Sequence, residues 1–262
     1  MNMLSRFIPL LPVALLIGCA GTPTKREPAS TVAEWPEFRA PQAGETLYHV
    51  DTEPSIILIR VDPEGPMARL GHSHIIGGAV VSGRVVTGSN SADARLDLKI
   101  DTTLLEVDRP EWRRAEGLEP MLDADAIEGT RSNMRGERVL DVVQHPEITI
   151  RSTAVRGPDW MPVVTARIRL RDVVREVDVP VAVVRSGERL QAIGRFELLQ
   201  SDFGIEPFSA AGGALRVSDR MQLRFRIAAQ AGSTRNAEIT PACVDDVAMM
   251  RDSSTVPQPS RD

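Results

Sequence analysis

The strongest regular signal along the chain is a two-residue alternation. Ala94, Leu96, Leu98 and Ile100 alternate with Arg95, Asp97, Lys99 and Asp101, which puts apolar groups on one face of an extended strand and charges on the other. The pattern returns at Ile148 and Ile150 against Thr149 and Arg151, and at Ile168 and Leu170 against Arg167, Arg169 and Arg171. It returns again at Val177, Val179, Val181 and Val183 against Glu176 and Asp178, and at Leu223, Phe225 and Ile227 against Gln222, Arg224 and Arg226. One dry face and one wet face predict antiparallel strands. Breaker clusters at Gly88–Ser91, Gly157–Asp159 and Ser186–Glu188 separate them, the last two where hairpin turns belong. A sheet with a single apolar face must pack on a second layer or close on itself, and closure also removes sticky edges. The expected fold is therefore all-β, an antiparallel up-and-down, lipocalin-like barrel of about eight strands. Helical signal is confined to Asp123–Met134, where Asp123 or Asp125 can cap a turn or two. This predicts one short helix near a barrel mouth, and the segment Arg109–Pro120, with Trp112 among charges, reads as a long loop near an opening.

Outside the alternating region the composition changes. Arg6 precedes an apolar stretch, Phe7–Ile17, that is too short to span a bilayer comfortably. The run Leu16, Ile17, Gly18, Cys19 looks like a lipobox, which makes residues 1–18 a lipoprotein signal peptide and Cys19 the site of lipid attachment. Acyl chains there would hold the chain to a membrane at roughly 0.8 kcal/mol per buried CH2. Ala20 rather than Asp follows the cysteine, which resembles the pattern sorted to the outer membrane and predicts a periplasmic location on that membrane. Residues 19–45, rich in Pro, Thr, Ala and charge, read as a lipidated, flexible tether. Residues 46–230 form the expected barrel domain, and 231–262 read as a polar, disordered tail.

Charge and residue chemistry narrow the function. The net charge is −5, with basic and acidic residues interspersed, so nucleic acid is not an expected partner. With Cys19 modified, Cys243 has no partner in the same chain, and no internal disulfide is expected. The sequence lacks a nucleophile elbow and a phosphate-cradling glycine loop, and the acidic pairs Asp123 with Asp125 and Asp245 with Asp246 fall in loop or tail. The expected role is accordingly not enzymatic, and no cofactor is required. The sharpest local feature is Gly71-His72-Ser73-His74. At strand spacing two imidazoles share a face, so His72 and His74 are candidate contacts to a polar head group, or, in the alternative reading, ligands of a metal or redox centre. A closed metal site would need further donors.

The inward set is Ile, Leu, Val and Ala with few aromatics, which leaves room in a barrel of this size for a slim guest. Burying about ten CH2 units of a ligand would release about 8 kcal/mol gross. Ile76, Leu96, Leu98, Ile148, Ile150, Ile168, Phe196, Phe203 and Phe225 are the expected lining residues.

Three clusters of residues carry a family resemblance: Tyr48, Val50, Asp51 and Ser55 at the opening; Asp141, Val142, Pro146, Ile148, Thr149 and Ser152 in the middle; Ser201, Asp202, Phe203, Gly204 and Ile205 before the last strand. On these the chain resembles the YceI-like polyisoprenoid-binding proteins of bacteria. The chain departs from them at Leu140 and Ile150, where relatives usually carry Phe. The resemblance implies a lipocalin-like barrel holding a polyisoprenoid, quinone or fatty-acyl chain for carriage, storage or stress response. The apolar ligand and the membrane are the expected partners, with a homodimer as a further expectation.

Overall fold

A computed structural model describes residues 35 and 37–232. The signal segment, Cys19, most of the tether and the tail with Cys243 lie outside the described residues. Twelve strands run in chain order as β1 (Thr46–Val50), β2 (Ile56–Glu64), β3 (His74–Gly78), β4 (Val81–Thr87), β5 (Arg95–Asp101), β6 (Glu106–Val107), β7 (Glu147–Arg156), β8 (Val163–Leu170), β9 (Val173–Ser186), β10 (Arg189–Leu199), β11 (Ser209–Ala210) and β12 (Leu215–Ala231). Two helices, α1 (Pro110–Ala115) and α2 (Ala124–Arg135), fall between β6 and β7. Three pairs of strands are single staves broken in the middle: β1 with β2, β3 with β4, and β5 with β6. Every pairing is antiparallel, and β12 closes the ring by bonding to β10 on one edge and to β1 and β2 on the other. The result is a closed eight-stranded up-and-down barrel.

Register carries the alternation around the wall. Leu98 faces Ile150, Ile150 faces Ile168, and Phe196 faces Leu223, so the apolar member of each pair stays on the lumen side. The breaks have local causes. At residues 51–55 the first stave kinks, and the buried Ser55 hydroxyl donates to Asp51 O (2.6 Å) while accepting the Ala228 N–H (3.0 Å). That hydroxyl replaces a missing rung of the ladder. β9 and β10 pair only from Val181 to Ser186. Pairing stops at Pro180, which has no N–H to donate, and the buried Gln200 and Phe203 occupy the turn that follows β10.

The barrel has two ends. Its upper end carries the turns after β4, β7 and β9; its lower end carries α2 and the segments 65–73 and 204–214. The expected helix over Asp123–Met134 is α2, with Asp123 at its N-cap position, although the Asp123 side chain makes no capping hydrogen bond. Arg109–Pro120 corrects the loop expectation. It contains α1, started by Pro110 at a position where a missing N–H costs nothing, and it lies on the outer wall rather than across an opening. Trp112 packs there with Leu58 and Ile75, residues whose side chains point away from the lumen. The near-continuous apolar run Ile56-Ile57-Leu58-Ile59 is the sequence trace of that two-sided burial.

A second cover lies over β4, β5 and β7. Where a free tether is expected as far as Glu45, the stretch from Phe38 to Glu45 is bound to the wall. Arg95 donates to both Glu45 carboxylate oxygens (2.8 and 2.7 Å) and to Arg39 O and Ala40 O. The Arg95 hydrogen bonds pull the Glu45 pKa down to about 2. Phe38 sits under Arg84 (4.1 Å) and Trp35 under Arg169 (4.4 Å), as cation–π pairs. Since Arg169 is one residue from the lower end of β8, Trp35 lies near the lower opening.

Candidate functional site

Inside the barrel two cavities lie end to end. The upper one, of about 160 Å3, is walled by residues such as Val81, Leu96, Leu98, Val179, Leu190 and Phe225. The lower one, of about 280 Å3, is walled by Ile59, Ile76, Met134, Leu140, Ile148 and Phe203 among others. Ile57, Ile100, Ile150, Ile168 and Phe196 belong to both and form a waist. Hence the lumen is neither filled by its own side chains nor one open tube. Phe196 meets Phe225 edge to face, with ring centroids 6.2 Å apart. Gly194, directly opposite Phe225 in the ladder, makes this possible, because a Cβ there would stand 2.5 Å from the Phe225 ring and 2.8 Å from Pro180 O. Gly194→Ala is therefore expected to lower stability by about 1–3 kcal/mol through overpacking, seen as a lower midpoint in denaturant unfolding; an unchanged midpoint would show that the ring has a second resting place.

All nine residues expected to line the interior do so. Leu96, Leu98 and Phe225 face the upper cavity, Ile76, Ile148 and Phe203 the lower one, and Ile150, Ile168 and Phe196 both. The two histidines are placed differently from each other. His74 opens β3, while His72 lies in the bend before it, exposed at the rim of the lower cavity. They do not form a strand-spaced pair. Among the described residues no three His, Cys, Asp or Glu side chains gather as a metal site.

His74 instead belongs to a buried network. Its Nδ1 lies 2.6 Å from Asp108 Oδ2; Asp108 Oδ1 accepts from the Ile75 N–H (2.9 Å) and from Arg113 Nη1 (2.7 Å). Neither Asp108, with no exposed side-chain surface, nor Arg113, at 3 %, reaches solvent. Arg113 also donates to Ser73 O and Glu119 O, both at 2.6 Å. Burial alone would push the Asp108 carboxyl up; the hydrogen bonds from His74, Ile75 and Arg113 outweigh it and hold the group below the usual carboxylate range. Asp108 adopts a left-handed backbone (φ 55°), a conformation that Asp tolerates better than most residues. Thr130 of α2 completes the surroundings, its hydroxyl 3.4 Å from His74 Nε2 and donating to Ala126 O (2.9 Å). Sequence reasoning missed Asp108, Arg113 and Thr130. The one local hint was an Asp inside a segment whose strand period had just ended.

The family model for the YceI-like domain matches residues 48–229. The chain belongs to the YceI-like family. Among solved structures this YceI-like barrel is similar to BcnA of Burkholderia cenocepacia, with 16% identity over 68% of this chain and 98% of that one, at a TM-score of 0.52. It is also similar to a YCEI protein of Campylobacter jejuni, with 10% identity over 57% of this chain and 80% of that one, at a TM-score of 0.42. No curated protein sequence matches the chain. The residues that carried the family resemblance mostly hold the frame. Ser55 stitches the first stave; Ser152 accepts the Leu96 N–H (2.9 Å) beside a bulge in β7; Ser201 binds the Asp219 carboxylate through N–H and hydroxyl. Of these motifs, Ile148, Phe203 and Ile205 border the lower cavity.

Proposed function

We propose that this protein holds one long apolar ligand, of polyisoprenoid, quinone or fatty-acyl type, inside its barrel for carriage, storage or stress response. It does so as a lipid-anchored protein on the periplasmic side of the outer membrane, and its role is binding rather than turnover. The observation that carries this reading is the pair of apolar cavities joined at a waist of hydrocarbon side chains. Each cavity alone is small for a drug-sized ligand; together they suit a guest that is long and thin. Because each CH2 transferred from water contributes about 0.8 kcal/mol, a chain threading both needs no polar contact to bind usefully. The nine lumen residues would touch the chain, and His72 and His74 would meet its head at the lower opening.

The anchor reading gains support from the bound stretch before β1. Cys19 stands sixteen residues ahead of Trp35, a span of about 20 Å r.m.s. for a flexible chain. Acyl chains on Cys19 would thus keep the lower opening near the bilayer, where a lipid ligand is found. Native mass spectrometry of the full chain from cell envelopes tests the proposal. A retained adduct of long-chain mass that survives chelator is the expected result. Delipidated protein that takes up neither hexadecyl nor polyprenyl compounds would refute it.

A further inference from the structure

Resting on that reading, we infer that the lower cavity selects ligands whose head group donates a hydrogen bond, an alcohol, phenol or primary amide, with His74 Nε2 as the acceptor. The hydrogen bonds around Asp108 impose this polarity. A carboxylate that already takes the Ile75 N–H and an Arg113 N–H offers only acceptor positions, so the short contact to His74 Nδ1 requires Nδ1–H. In the neutral ring the lone pair then sits on Nε2. His74 borders the lower cavity, whose other walls are mainly hydrocarbon. Thr130 has one hydroxyl proton and two acceptors in reach, Ala126 O at 2.9 Å and His74 Nε2 at 3.4 Å; the shorter bond goes to Ala126 and leaves Nε2 open to a ligand donor.

Two of the other polar groups bordering this cavity are already engaged. Asp62 accepts from Arg60 and Ser73, and Gln200 donates to Ser218 O. Arg216 and the exposed Asn133 and His72 also border the cavity, and none of the three is backed by a buried carboxylate. A donor head leaves His74 satisfied; a head that only accepts leaves its lone pair unpaired, which lowers affinity by about 5- to 150-fold.

Equimolar competition between hexadecan-1-ol and 1-methoxyhexadecane for delipidated full-length protein, read by native mass spectrometry at pH 8.5, tests the assignment. The two probes share a chain and differ in one donor. At least about fivefold preference for the alcohol is expected. Asp108→Asn presents an amide N–H to Nδ1 and so moves the imidazole proton to Nε2; the preference should collapse, and imidazole 15N shifts should report the exchanged tautomer. His74→Leu should also abolish the preference. Equal uptake of both probes by the unaltered protein, or a preference for the ether, overturns the head-group assignment and leaves the cavities' role standing. No adduct of either probe overturns both.

Discussion

Asp108→Ala is expected to be the most destabilising single change in the described barrel, at about 3–5 kcal/mol, the cost of removing one partner of a buried ion pair. Against a total stability of about 5–15 kcal/mol, that loss threatens folding at physiological temperature. The Ile75 N–H and His74 Nδ1 are orphaned and the buried Arg113 guanidinium loses its carboxylate at once. Arg113 also ties the segment after α1 to β3 through Glu119 O and Ser73 O, so the helix over Leu58 and Ile75 should loosen with it. Chemical denaturation at pH 7 gives the magnitude. The pH dependence has a defined sign. Since the folded-state pKa of Asp108 is depressed, its contribution is present in full above the ordinary carboxylate range, near 4, and fades as pH falls through the lowered folded value. The gap between the unaltered protein and Asp108→Ala should therefore narrow in acid. A gap that widens below pH 4 would contradict the hydrogen-bond account.

Ile150→Trp should remove ligand binding while leaving the barrel folded. Ile150 borders both cavities and faces Leu98 on one side and Ile168 on the other. An indole at that point fills the waist and divides the lumen. A chain denied the cavity beyond the waist loses contacts for about five CH2 units, or about 4 kcal/mol, a fall of roughly a thousandfold in affinity. Overpacking costs about 1–3 kcal/mol of stability, within what the barrel can bear if Phe196 swings aside. Loss of the long-chain adduct with circular dichroism unchanged is the expected outcome. Full retention of the adduct would mean that the ligand occupies one cavity only, or lies outside the barrel.

How much of this was readable beforehand follows from which contacts are local. The alternation at Ala94–Asp101 and Val177–Val183 reported strands and their dry faces, because side chains of an extended backbone point to opposite sides whatever the strand pairs with. From dry faces came a closed barrel, and from the inward set came its lining, down to Ile150, Ile168 and Phe196. The segment Arg109–Pro120 was misread because its one apolar anchor, Trp112, is met by residues from other strands, Leu58 and Ile75; no pattern within the segment announces that wall. The histidines were noticed for their spacing, and spacing was the wrong guide. His72 lies before β3 begins, and His74 finds its partner thirty-four residues later, at an Asp held in a left-handed turn where the third stave ends.

The sequence by itself determined the barrel and its apolar lumen, since both follow from which face of each strand avoids water. Only the tertiary structure decided where the lumen narrows and which imidazole nitrogen faces it. Those depend on register, strand breaks and the meeting of residues far apart in the chain, and a one-residue change of register would rearrange them all.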